Sequence, residues 1–142
     1  MAMTDSGTYR DNIVTSYLAD TSKFEGTTIA PITYIDSSFV PGSFYAESVL
    51  FREASEGSPP EHSHDDFDEI LMFFGTDPER PHDLCGEVEL WIGGEKYLLT
   101  ESSMVFVPRG VRHCPMYFRR VDRPILHAST GPSRNYSRDG VG

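Results

Sequence analysis

His62-Ser-His64-Asp-Asp-Phe-Asp-Glu69-Ile-Leu-Met-Phe-Phe74-Gly75 sets two imidazoles and a carboxylate immediately before a short apolar run. Residues two apart on an extended chain point to the same face, so His62 and His64 can reach one ion without backbone strain. Imidazole nitrogen suits first-row metals, and a carboxylate adds a hard oxygen and cancels part of the ion's charge. A strand is the expected host. The run Ile70 to Phe74 is apolar at every position, which predicts a strand buried between two layers. The plainer alternative is a set of solvated polar residues on a surface loop.

A second stretch argues against that alternative. In Val105-Phe106-Val107-Pro108-Arg-Gly110-Val-Arg-His113, Pro and Gly mark a tight turn between two strands, and such a turn can carry a distant histidine to the first site. His113 is therefore the third candidate imidazole.

The chain resembles a small single-domain cupin. The first cupin motif runs Gly, about five residues, HxH, three or four residues, Glu, about six residues, Gly; here it reads Gly57-SPPE-His62-Ser-His64-DDFD-Glu69-ILMFF-Gly75. The second runs Gly, five residues, PxGxxH, three residues, Asn; here it reads Glu101-SSMVFV-Pro108-Arg-Gly110-Val-Arg-His113-CPM-Tyr117. Glu101 stands near the usual Gly, Tyr117 replaces the Asn, and the outer spacings of the first motif are one residue short. The resemblance covers roughly residues 40 to 128. It implies an all-β jelly-roll barrel, with one divalent transition metal per chain held by His62, His64, Glu69 and His113. Fe2+ is favoured, with Mn2+, Ni2+, Zn2+ or Cu2+ as alternatives.

Composition agrees. At 142 residues the chain is one domain. Ten prolines, twelve glycines and seventeen aromatic residues punctuate short apolar runs, as in an all-β sandwich or barrel. Strands are expected at Ile29 to Ile35, Ser43 to Arg52, Asp68 to Phe74, Gly86 to Ile92, Lys96 to Leu99, Met104 to Val107, Arg112 to Arg120 and Ile125 to Ser129. Gly93-Gly94 supplies a hairpin signal. Residues 1–25 read as an N-terminal arm, 26–130 as the barrel domain and 131–142 as a loose polar tail. The net charge of −10 argues against a nucleic-acid partner, which would draw its affinity from Lys and Arg. No apolar stretch is long enough to cross a membrane, and the N-terminus lacks a secretion signal, so a cytoplasmic location is expected. A spare N-terminal arm of the kind cupin-like barrels exchange makes a homodimer the expected assembly.

Beyond the ligands, two residues are candidate catalytic groups. Strand alternation from an inward His113 puts Tyr117 on the same face, where a phenol can donate a proton; the alternative is a core tyrosine. His127 alternates with Leu126 and Ala128 and can turn inward as a substrate group, or stand as a satisfied core histidine. The same alternation aims Cys114 away from the metal, and Cys85 and Cys114 are read as ordinary unpaired thiols. Phe73, Phe106 and Tyr117 are expected around a dry pocket. His82, in a proline-stiffened loop after Gly75, is a candidate lid residue or a solvent-exposed side chain. Glu61, Asp65, Asp66 and Asp68 are read as solvated.

Four protein ligands on an octahedral ion leave two positions for a bidentate organic acid, enol or diol, or for substrate and dioxygen together. The resemblance implies a metal-dependent enzyme, with Fe(II) dioxygenase-type chemistry ahead of Mn, Ni or Zn isomerase or lyase chemistry. A cupin-like module that binds a small molecule without turnover is the alternative class.

Overall fold

A computed structural model describes residues 7–56 and 59–140; Gly57, the first glycine of the HxH motif, lies outside them. Among the described residues eight strands form two antiparallel sheets: β1 (Ile29–Ile35), β2 (Tyr45–Phe51), β3 (Glu69–Phe74), β4 (Asp83–Ile92), β5 (Glu95–Glu101), β6 (Ser103–Val107), β7 (His113–Val121) and β8 (Ile125–Gly131). The larger sheet has the order β1-β2-β8-β3-β6 and the smaller β5-β4-β7. This is the jelly-roll arrangement.

Alternation decides which side chains fill the space between the sheets. On β3, Glu69, Leu71 and Phe73 are buried, while Ile70 is 36% exposed. The expectation of a strand buried on both faces is thus corrected, because the larger sheet has a layer over one face only. Across the β3–β6 ladder Ile70 pairs with Phe106 and Met72 with Met104. Phe106 and Met104 are 61% and 69% exposed, so Phe106 lies on the outer face and not beside a pocket. The inner core is built from Val49, Phe51, Leu71, Phe73, Leu84, Val88, Leu90 and Phe118, with Phe51 and Phe118 stacked at 3.6 Å between centroids.

Two glycines fix the turns at the ends of β3. Gly110 has φ 79°, a conformation that favours glycine, and its N–H donates to the His64 carbonyl at 2.8 Å, tying the Pro108 turn to the HxH segment. At the opposite end of β3, a Cβ on Gly75 would lie 1.9 Å from the Asp83 carbonyl oxygen, so the close approach there excludes any side chain.

The described residues before β1 and after β8 pack more closely than their polarity suggests. Tyr17 bridges to Tyr34 and lies against Phe24, with both ring pairs at 5.4 Å. The segment after β8 is not loose in its described residues. Tyr45 N–H donates to the Ser133 carbonyl, Ser37 N–H to that of Arg134, and Ser63 and Asp139 exchange two backbone hydrogen bonds of 2.8 and 2.7 Å. Tyr136 supplies the apolar anchor that composition alone hides, packing edge-on to Tyr45 at 5.0 Å.

Candidate metal centre

His62 and His64 sit on an extended segment outside the named strands, held by a bridge between His62 and His113 and another between Ser63 and Asp139. Their backbone is therefore fixed from two sides without a ladder of its own, which corrects the expectation of a regular strand. Glu69 opens β3 and His113 opens β7. All four side chains are 2% exposed or less.

The ring centroids of His62, His64 and His113 lie 4.5 to 5.0 Å apart. Donor atoms of His64, Glu69 and His113 fall within 4.8 Å of one another, and a second such triad joins His62, His113 and Cys114. His113 belongs to both. The structure thus brings the four expected ligands together as two overlapping triads, and adds a sulfur.

The ring nitrogens show what the site can hold. In each histidine Nδ1 faces a backbone carbonyl: that of Pro60 for His62 at 2.7 Å, Ser137 for His64 at 2.5 Å and Val111 for His113 at 3.0 Å. A neutral imidazole has one N–H, and these contacts place it on Nδ1, leaving the Nε2 lone pair free. Yet Nε2 of His64 and Nε2 of His113 both lie 3.1 Å from the same Glu69 oxygen. Two lone pairs and a carboxylate converging in a dry site need positive charge, from added protons or a cation. Carbonyl-oriented imidazoles with a carboxylate are a donor set that fits a divalent transition metal. Burial pushes the His62 ring down to about 4, against the Pro60 hydrogen bond, so His62 is neutral near pH 7 and able to ligate. Burial raises the Glu69 carboxyl, but the close approach of the His113 and His64 rings and the Tyr45 hydroxyl outweigh it and hold it at about 2.

Two supporting groups have no counterpart in the motif reading. Tyr45, fully buried, donates its hydroxyl to Glu69 and fixes the carboxylate from behind. The Ser137 carbonyl sets the His64 ring, which also stacks on Phe67 at 4.6 Å. A tyrosine alternating into the core of β2 is a weak sequence signal, and a main-chain oxygen gives none.

Two expectations about β7 fail for one reason. Between Leu90 and Ile92 on β4 there are two steps, whereas the facing residues Met116 and His113 are three apart, so β7 carries an extra residue there. Such a bulge inverts the alternation beyond it. His113, Met116 and Phe118 consequently face inward, and Tyr117 faces out, with the Arg119 guanidinium 4.2 Å from its ring. Tyr117 does not line the cavity. Cys114, with φ 70°, is buried and turned toward the ligands instead of away; burial pushes its thiol up to about 12. Cys85 is also buried, and both cysteines are free.

The site forms the inner end of a cavity of about 270 Å³. Val49, Phe51, Leu71 and Met116 give it apolar walls, and His127 and Ser129 add polar atoms. His127 faces this space, stacked on Phe73 at 4.5 Å, with Nδ1 2.9 Å from the Met72 carbonyl. Burial lowers its ionisation, so it is neutral near pH 7. His82 is exposed at the far end of β3 from Glu69 and takes no part. Glu61 and Asp68 pair with Arg112 and Arg109, and Asp65 and Asp66 are exposed, as expected of solvated carboxylates.

No protein-family model and no curated protein sequence matches the chain. Solved structures do. An oxalate oxidase in complex with glycolate aligns over 96% of this chain and 66% of its own, with 18% identity and a TM-score of 0.61. Together with the two-sheet topology and the HxH, Glu and His positions, this decides the fold. The chain has a cupin fold. It spans about two thirds of the length of that oxalate oxidase. Peruvianin-I, described as a cysteine peptidase from Thevetia peruviana latex, aligns over 96% of this chain and 81% of its own, with 14% identity and a TM-score of 0.63. A cupin protein from Bacteroides fragilis shares 21% identity over 77% of this chain and 87% of its own, with a TM-score of 0.47. No helix of the described residues is long and apolar enough to cross a membrane.

Truncating the chain after Gly131 removes the Ser137 carbonyl and the Asp139 bridge. Groups that orient a ligand from behind are typically worth 10- to 100-fold in metal affinity. A loss of about that size is expected in a cobalt competition titration, with circular dichroism run alongside to show that the barrel persists. Unchanged affinity would mean that His64 is oriented without the C-terminal segment.

Proposed function

We propose that this cupin is a metal-dependent enzyme acting on a small organic substrate inside the barrel, as a non-haem Fe(II) oxidoreductase of dioxygenase type. The observation that carries the metal is the convergence of His64 Nε2 and His113 Nε2 on one oxygen of the buried Glu69 carboxylate. His62, His64, Glu69 and His113 are the ligands for one divalent ion per chain. Bound there, Fe(II) would supply dioxygen chemistry, while Mn, Ni or Zn would supply Lewis-acid chemistry.

The chain's own residues define what else happens. Tyr45 and the Pro60, Ser137 and Val111 carbonyls hold the ligands in place. The apolar walls exclude water, which strengthens electrostatic contacts inside. His127 replaces Tyr117 as the candidate proton-transfer group, since it is neutral and lines the cavity. The cavity volume lies just below the usual range of about 300–1,000 Å³ for ligand sites, which suits a small metabolite.

The test is oxygen uptake by Fe(II)-loaded protein against a panel of 2-oxo acids, 2-hydroxy acids, enols and diols. Oxygen consumption matched to substrate loss is expected, and His127→Gln should slow turnover with metal content unchanged. Anaerobic conversion with Mn, Ni or Zn would replace the oxidoreductase by an isomerase or lyase. Tight metal-dependent binding without turnover in either atmosphere would make the protein a binding module.

A further inference from the structure

Arg138 reaches the same cavity from the C-terminal segment. Its Nε donates to the Tyr136 hydroxyl at 2.9 Å, and its guanidinium lies 5.3 Å from that ring. These contacts leave the terminal nitrogens free of any carboxylate. Arg80, Arg109, Arg112, Arg119 and Arg120 each pair with an acidic side chain, but among the described residues Arg138 has none within ion-pair distance. The other cation of the cavity, Lys23, is committed to Glu47 at 3.6 Å.

Charge around the cavity can be counted. Lys23 and Arg138 cancel Glu47 and Glu69, and a divalent ion then leaves two positive charges in excess. The chain as a whole carries −10. A positive pocket in an acidic protein draws in small anions. A guanidinium fork matches a carboxylate with two parallel hydrogen bonds, whereas a neutral enol or diol leaves it unmatched.

We propose that Arg138 is the anion anchor of this cavity, selecting a small carboxylate whose second oxygen donor, from an adjacent keto, hydroxyl or carboxyl group, turns toward the histidine–glutamate site. The inference rests on the metal site and narrows its substrate class to acids.

Cobalt-loaded protein provides the test, since bound ligand perturbs the visible cobalt bands. Cobalt stoichiometry is measured first. Oxalate, a dicarboxylate, and acetohydroxamate, a bidentate chelator whose remote end is a methyl group, are then titrated into the parent, Arg138→Gln and Arg138→Lys. Loss of charge-assisted hydrogen bonds should weaken oxalate about tenfold or more in Arg138→Gln. Arg138→Lys should recover part of that loss, and acetohydroxamate should stay within about twofold in both variants, because it offers Arg138 no carboxylate. Equal oxalate affinity in the parent and Arg138→Gln, with cobalt bound, would overturn the anchor and spare the metal site. An equal fall for both chelators would also overturn it, by showing a general disturbance of the centre. Absence of stoichiometric cobalt in the parent would overturn both.

Discussion

His113→Ala is expected to lower divalent-metal affinity by more than about 100-fold, a larger loss than the 10- to 100-fold typical of the groups standing behind ligands. His113 is shared by both donor triads, so its removal leaves neither complete. The substitution is clean for a structural reason. His113 is tied to His62 through the main chain, with N–H to carbonyl distances of 3.0 and 2.8 Å, and alanine keeps both hydrogen bonds. What disappears is the imidazole. Glu69→Gln should cost less, because an amide oxygen still coordinates but brings no charge. Competition titration against a chelator of known affinity measures both. Parent-like affinity in His113→Ala would place the metal elsewhere.

Phe118→Ala should have the largest effect on stability, about 3–5 kcal/mol, the range for truncating a buried aromatic to alanine. Phe118 is 1% exposed and lies where the two sheets meet, stacked on Phe51 with ring planes 7° apart and 6.1 Å from Phe73. Neighbours on strands that are themselves hydrogen-bonded cannot close over the void, so transfer and cavity costs add. Its backbone pairing with Ser55 survives the change, which confines the loss to the ring. Urea unfolding with unchanged m-value reads the difference directly. A shift below about 0.5 kcal/mol would show that the sheets do not depend on this contact, since that is the level of ordinary surface substitutions.

The spacing of His62, His64 and Glu69, the Pro108–Gly110 turn and the positions of the strands were all legible in the sequence, because each rests on local rules of alternation and turn chemistry. The same rules misplace Tyr117 and Cys114. A bulge in β7 is set by its register against β4, a pairing that no local pattern on β7 records. The outward apolar face of β3 and β6 was equally hidden, since an all-apolar run looks the same whether one face or both are covered. The C-terminal segment looked loose because its composition is polar. Its role comes from one carbonyl at Ser137, one half-buried ring at Tyr136 and two backbone hydrogen bonds at Asp139, which a polar composition does not reveal. Tyr45 was invisible for a related reason: its hydroxyl matters only because β2, two strands away from β3 across β8, brings it to Glu69.

Elemental analysis of protein purified without air and without added metal, compared with His113→Ala prepared alongside, tests the centre most directly. One divalent transition metal per chain in the parent and none above background in the variant is the predicted result. No stoichiometric metal in the parent, even after anaerobic reconstitution with Fe(II), Mn, Ni or Zn, would contradict it.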